Sequence, residues 1–402
     1  MPQKLPTILQ IIPELDTGGA ELSAVEIAEA LASAGANSLV ATQGGRLEAR
    51  VREAGAEIIR FPAATKNPLR MLTNVGALEK LIHERKIDLV HARSRAPAWS
   101  ALGATRRKRL PFVTTYHGAY NENGRLKNLY NSVMARSDIV IANSGFTADL
   151  VRKRYDTPAA RIRIIHRGVD CDRFDPAAIP QDRVAALRVQ WGVPPSARIV
   201  LVPARLTTWK GQRVVIDAAG ILKAQGIHDD VCFVMAGDAQ GRNDYVASLH
   251  ARVEQLGLKN RVFFVGHVAD MAAAYRTAGL TIIASIEPEA FGRVAIETQA
   301  MAVPVIATDL GAPPETILAR PSVAMDRITG WLVPAGDAGA LAAQLAEALA
   351  MSPADHDAMG ARARANVLAH FTLQAMKEQT LAIYDHLLGT DVRARFMSAA
   401  VT

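Results

Sequence analysis

Short apolar runs alternate with longer amphipathic segments along the chain. Residues 7–12, 38–42, 57–61, 87–91, 112–116, 138–142 and 161–165 are short apolar runs and read as strands. Between most of them lie segments with helical spacing. In 20–34, for example, Leu22, Val25, Ala28 and Leu31 or Ala32 share one face. Strands that are apolar without alternation, separated by helices, predict a parallel sheet covered on both faces.

The alternation pauses at 174–197, where Pro176, Pro180, Pro194 and Pro195 surround one short helical segment. It then restarts. Strands are expected at 198–203, 231–236, 261–265, 280–284 and 303–307, and helices at 212–224, 245–256, 338–350, 353–370 and 373–388. The pattern predicts an α/β protein of two doubly wound, Rossmann-like domains facing each other across a cleft. No sequence repeat relates the halves.

Composition supports this. Half of the 402 residues are hydrophobic and only 5% aromatic, so Ala, Val, Ile and Leu must fill the cores. Disorder, collagen-like repeats and coiled coil are excluded. Two cysteines, Cys171 and Cys232, are too few for a disulfide scaffold or a thiolate metal cage. The opening segment is broken by Pro2, Pro6 and Pro13 and is too short in apolar residues for a signal-peptide core. A cytoplasmic protein is expected. Residues 1–190 carry 28 Lys and Arg against 19 Asp and Glu, whereas the remainder carries 18 against 20. This asymmetry, with the run Arg106-Arg107-Lys108-Arg109, leaves two readings open: an anionic partner for the first half, or a solvated basic face.

In doubly wound sheets ligands bind beyond the carboxyl ends of strands. Three such loops stand out. Asp16-Thr17-Gly18-Gly19-Ala20-Glu21 joins a strand to a helix, with two glycines that allow close backbone approach. Arg205 and Lys210 bracket a strand-to-helix turn, where a fork and a movable point charge can grip a diphosphate. Glu289, Phe291, Gly292, Arg293, Val294 and Glu297 span a loop and the start of a helix. Amides at 292–294 could meet an anion there, and the two carboxylates could take sugar hydroxyls. No G-x-G-x-x-G fingerprint, phosphate-binding G-x-x-x-x-G-K-[ST] loop or H-E-x-x-H pair is present.

These loops belong to an ordered set: Gly18-Gly19-Ala20-Glu21; His117-Gly118; Ile141-Ala142-Asn143-Ser144; Gly168-Val169-Asp170 with Arg173-Phe174; Arg205 with Lys210-Gly211; Ala236-Gly237-Asp238; Phe264-Val265-Gly266; Glu289 with Phe291-Gly292 and Glu297; Gly311; and Gly330-Trp331-Leu332-Val333. With this set the chain, from about residue 7 to 388, resembles the family-4 (group 1) retaining glycosyltransferases of the GT-B fold. The resemblance implies an N-terminal acceptor-side domain at 1–175 and a nucleotide-sugar-binding domain at 176–370. A C-terminal helix and tail at 371–402 would return to the first domain. It implies that Arg205 and Lys210 hold the diphosphate of a nucleotide-sugar, helped by Gly18, Gly19 and the backbone at 292–294. Glu297 would bind ribose, Glu289 would face the transferred sugar, the loop after Gly266 would flank the base, and His117 would sit at the reacting centre. No metal or other cofactor is implied. Asp170-Cys171-Asp172 has the Asp-x-Asp form of a metal signature, but it lies at the end of the first domain, the wrong context for one.

Two positions depart from the family's pattern. Arg167 stands where Asn often precedes Gly-Val-Asp, and Arg93, followed by Arg95, stands where a second His is often found. Both add positive charge on the acceptor side. Arg93 and Arg95 are therefore expected to meet an anionic glycan or glycolipid acceptor, such as a lipopolysaccharide core precursor, and the 106–109 run to touch an anionic membrane surface. No nucleic-acid partner is expected. A non-hydrolysing sugar-nucleotide epimerase and a catalytically silent sugar-nucleotide-binding module are the rival readings.

Overall fold

A computed structural model describes residues 5–16, 18–120, 124–226 and 230–399. Readings of the first four residues, and of Thr17 in the first glycine loop, concern positions outside these. The chain divides into two compact units, Met1–Arg167 with Gln374–Thr402, and Gly168–Leu373. The first division thus falls at 167/168, where the resemblance implies 175/176. The chain commits to the second unit earlier, because Val169 and Phe174 already pack in its core with Trp191, Tyr275 and Phe371.

The first unit holds strands β1 Thr7–Ile11, β2 Asn37–Thr42, β3 Glu57–Arg60, β4 Leu89–Ala92, β5 Phe112–Tyr116, β6 Ile139–Ala142 and β7 Ile162–Ile164. They form one sheet in the order β3-β2-β1-β4-β5-β6-β7. The second unit holds β8 Arg198–Pro203, β9 Val231–Ala236, β10 Val262–Gly266, β11 Ala278–Ile283, β12 Val305–Thr308 and β13 Gly330–Val333, in the order β10-β9-β8-β11-β12-β13. Every neighbouring pair in both sheets is parallel.

The side-chain period of two explains the apolar runs. In β8, Val200 and Val202 pack on one face with Val215, Ile216 and Leu222. Ile199 and Leu201 pack on the other with Tyr275 and Ile296. A strand buried on both faces has no position left for a polar residue. Small residues let helices come close: Ala98, Ala101 and Ala104 of the Arg95–Lys108 helix face Phe112 and Val90. Helix starts carry the expected chemistry. Asn67 caps Leu69 and Arg70 ahead of Pro68, and Ser144 and Thr147 form a capping box.

Strand order reverses beside β1, between β2 and β4, and again beside β8, between β9 and β11. These are the topological switch points, where doubly wound sheets open a crevice. Residues 12–19 follow β1, Arg93 follows β4, Arg205 follows β8, and Ser285–Glu289 follow β11. Three of the loops picked out from sequence thus stand at switch points by topology.

Two elements were not anticipated. β13 is four residues beginning with Gly330, where a Cβ would press on the Val305 carbonyl. The Val392–Ala399 helix carries two arginines and buries only Val392 and Phe396.

Candidate active site

The nominated residues fall into two sets, one in each unit. In the second unit, a single turn of 3₁₀ helix, Thr208–Lys210, ends at Gly211, whose φ of 72° is left-handed. The Gln212–Ala224 helix follows at once. Lys210 leaves this turn to pair with the Glu289 carboxylate, and its Nζ lies 4.2 Å from the centre of the Trp209 ring. The Ser285 hydroxyl donates to Glu289 Oε1 at 2.6 Å. The two loops are tied through the backbone, Ile286 N–H donating to the Trp209 carbonyl at 2.8 Å. Glu289 is 8% exposed, and its carbonyl accepts from Ala312 N–H at 2.9 Å. Gly311 runs so close that a Cβ there would overlap the Glu289 backbone. Arg205 is exposed, and its guanidinium has no ion-pair partner among the described residues. A held lysine–glutamate pair and an exposed arginine thus lie in the loops that follow the neighbouring strands β8 and β11.

The Arg293–Ala300 helix begins after Gly292, which is left-handed at φ 79° and supplies no side-chain cap. One turn in, Glu297 Oε2 accepts from the Tyr275 hydroxyl at 3.0 Å, and Glu297 Oε1 lies 3.7 Å from Arg293 Nε. Burial, with the Glu297 charge beside it, pushes the Tyr275 hydroxyl well above the usual phenol range. Tyr275 therefore stays a neutral donor and fixes the carboxylate. Arg293 Nη2 also donates to the Gly168 carbonyl at 3.0 Å. Gly266 closes β10 with φ 69°. Phe291 corrects an expectation: it is 3% exposed and packs near Phe371, so it supports the loop from the core and presents no surface to a ligand. Val294 also packs against that core.

In the first unit, Gly18 is the extended N-cap of the Gly19–Ser33 helix. The space its Cβ would fill is taken by the Glu21 carboxylate, whereas Gly19 is open. His117 follows β5, and Arg167 follows β7. Arg167 donates from one arm to Ser23 of the Gly19–Ser33 helix and from the other to His117 Nδ1. Burial first, then the charge of Arg167, holds the His117 imidazole well below the usual histidine range.

Arg93 is 3% exposed; its Nε donates to Gln10 at 2.6 Å, and its Nη2 is buried with no hydrogen-bond partner among the described residues. His91, two residues earlier, bonds Tyr384 through Nδ1 and Thr115 through Nε2, both at 2.7 Å. Arg95 is half-buried. It lies 4.1 Å from the centre of the Tyr120 ring and donates to Asn131 at 2.7 Å. The basic run closes the Arg95–Lys108 helix, where cations suit the dipole. Arg107 pairs with Glu79 at 3.0 Å, and Arg106 lies 3.6 Å from Asp138, so half of its charge is answered locally.

Tyr275, Ser285 and Trp209 shape the site without having been given roles from sequence. Ser285 and Trp209 lie inside the nominated loops. Tyr275 had no signal beyond being an aromatic in an alanine-rich helix. Among the described residues, no three His, Cys, Asp or Glu side chains gather as a metal-ligand group.

Residues 17–173 match the pattern of Glycosyltransferase Family 4, and residues 184–366 match Glycosyl transferases group 1. A solved glycosyltransferase from Rickettsia africae ESF-5 superposes with a TM-score of 0.87 at 33% identity, over 97% of this chain and 100% of its own. The chain belongs to the family-4, group 1 glycosyltransferases. Its two parallel sheets are those of the GT-B fold. This glycosyltransferase is also similar to Anabaena HepE, solved in complex with UDP and glucose, with a TM-score of 0.80 and 25% identity over 94% of this chain and 99% of that one. Among curated proteins it is 28% identical to the D-inositol 3-phosphate glycosyltransferase of Xylanimonas cellulosilytica, over 80% of this chain and 81% of that protein. It is 30% identical to that of Mycobacterium tuberculosis, spanning 64% of this chain and half of that protein. WaaG, of lipopolysaccharide biosynthesis, is 18% identical and shares the fold alone. Among the described residues, no helix of the glycosyltransferase is long and apolar enough to cross a membrane.

Proposed function

We propose that this glycosyltransferase moves a hexosyl group from a nucleotide-sugar to an anionic, hydroxyl-bearing acceptor, with retention at the anomeric carbon and without a metal ion. The observation that carries the reading is the Lys210–Glu289 pair at the β8/β11 switch point, with Arg205 exposed beside it. Breaking the anomeric bond leaves negative charge on the diphosphate and positive character on the sugar. Arg205 and Lys210 stabilise the first and Glu289 the second, as fixed charges need no reorganisation during the reaction. HepE, solved with UDP-glucose, makes a UDP-sugar the first donor to try. The D-inositol 3-phosphate relatives, together with the basic first half, favour an acceptor that carries phosphate.

The test is turnover of a panel of UDP-, GDP- and ADP-sugars with phosphorylated acceptors, in EDTA. Transfer in EDTA with a product of unchanged anomeric configuration is expected. Activity restored only by Mn²⁺ or Mg²⁺ would overturn metal independence. Turnover of the nucleotide-sugar without any acceptor would favour the epimerase. The role of Glu297 has its own check. Tyr275→Phe removes the hydroxyl that fixes this carboxylate, a loss of about 0.5–1.5 kcal/mol. Several-fold weaker nucleotide binding by calorimetry is expected, with kcat unchanged. An unchanged Kd would show that Arg293 alone positions Glu297.

A further inference from the structure

We infer that Arg167 is a positioning residue that holds His117 as the neutral tautomer protonated on Nε2, so that this ring nitrogen offers a hydrogen-bond donor to an oxygen of the bound substrate. The inference rests on the proposed transferase reading only for the identity of that substrate. Arg167 is buried and grips two groups at once, the Ser23 hydroxyl and His117 Nδ1. A guanidinium has five N–H donors, no acceptor, and no accessible neutral form. Whatever ring nitrogen it donates to must carry a lone pair, so the single proton of the neutral ring sits on Nε2. The other tautomer and the imidazolium would each set an N–H against an N–H. The imidazolium is opposed further by burial and by the nearby charges of Arg167 and Arg93, with His91 also facing it.

His117 Nε2 is itself buried and has no hydrogen-bond partner among the described residues. A donor held in one tautomer and left unpaired is prepared for an oxygen, not for a proton, so His117 serves as a donor and not as a base at Nε2. The departure from the family's pattern gives this its meaning. The asparagine often found before Gly-Val-Asp has an amide that can donate or accept and so selects neither tautomer. Arginine can only donate, and it selects one.

The experiment uses the full chain labelled with ¹⁵N-histidine. His117 is assigned by the resonance missing in His117→Gln, and long-range ¹H–¹⁵N spectra are recorded near neutral pH. The wild type is expected to show an unprotonated Nδ1 and a protonated Nε2. A protonated Nδ1 there overturns the inference, whatever the variants do. Arg167→Asn is expected to give a mixture of both tautomers and Arg167→Lys to keep the wild-type form. The wild-type pattern in Arg167→Asn would show that Arg167 does not select it. With the best sugar donor, Arg167→Asn should lower kcat about tenfold with less than a twofold change in donor KM, and Arg167→Lys should recover most of the loss. An unchanged kcat in Arg167→Asn would remove the positioning role. Absence of turnover with every sugar-nucleotide would count against the transferase reading and leave the tautomer result standing.

Discussion

Lys210→Ala is expected to lower kcat by about 10²–10³, the loss seen when one preorganised group facing developing negative charge is removed. The side chain is well placed for this. It leaves a turn locked by Gly211, lies against Trp209, and is held by Glu289. The same change leaves Glu289 largely buried beside the Ser285 hydroxyl that donates to it, and breaking a buried pair from one side costs up to about 3–5 kcal/mol. Two effects are thus superimposed, and Glu289→Gln separates them. It removes the charge but keeps a polar group for Ser285, so in the double variant the folding penalty of Lys210→Ala should shrink. Rates under saturating sugar donor, with thermal midpoints measured on the same samples, decide the matter. Wild-type kcat in Lys210→Ala with only a lowered midpoint would make the pair structural and overturn its assignment to the diphosphate.

Gly211→Ala should damage the fold through the backbone. An L-residue forced into the left-handed region costs about 1–2 kcal/mol. In addition, the new Cβ would overlap the Ala284 carbonyl just after β11, so backbone and not a flexible side chain must yield. A total of about 3 kcal/mol, at roughly 2–4 °C per kcal/mol for a unit of this size, lowers Tm by about 6–12 °C. Gly192→Ala is the control. Its φ of 66° is similar, but a Cβ there meets nothing within 4 Å, so only the conformational term applies. Equal losses at the two positions would show that the approach to Ala284 contributes nothing. Calorimetric unfolding of both variants measures the difference, and kcat should fall with Gly211→Ala because Lys210 moves with the turn.

The legibility of this chain follows from what each signal depends on. β8 and β9 were read to the residue because unbroken burial leaves no freedom in composition, and the Gln212–Ala224 helix because its apolar face is regular. β13, Gly330–Val333, was quoted as a motif but not read as a strand, although strands as short as β6 and β12 were. The loops beyond β8 and β11 were legible as places because topology puts ligands there. The roles within them were less so. Phe291 was nominated for a ligand and is interior, since a motif names a position but not the direction of its side chain. Tyr275 was invisible for the opposite reason. It acts through Glu297 from another element, and nothing in linear spacing connects them.

The first unit is discontinuous, and this sets an order of events during synthesis. Its sheet is complete once residue 167 has emerged, but Gln374–Thr402 belongs to it as well. About 200 residues intervene, which at roughly 5–20 residues per second is a delay on the order of 10–40 s. Throughout that interval His91 lacks Tyr384, the hydroxyl its Nδ1 bonds in the finished protein. The second unit is one continuous stretch and waits for nothing downstream. Residues 374–402 therefore complete a unit begun before the second one, and a nascent chain stalled just before residue 374 carries a finished second unit and an unfinished first one.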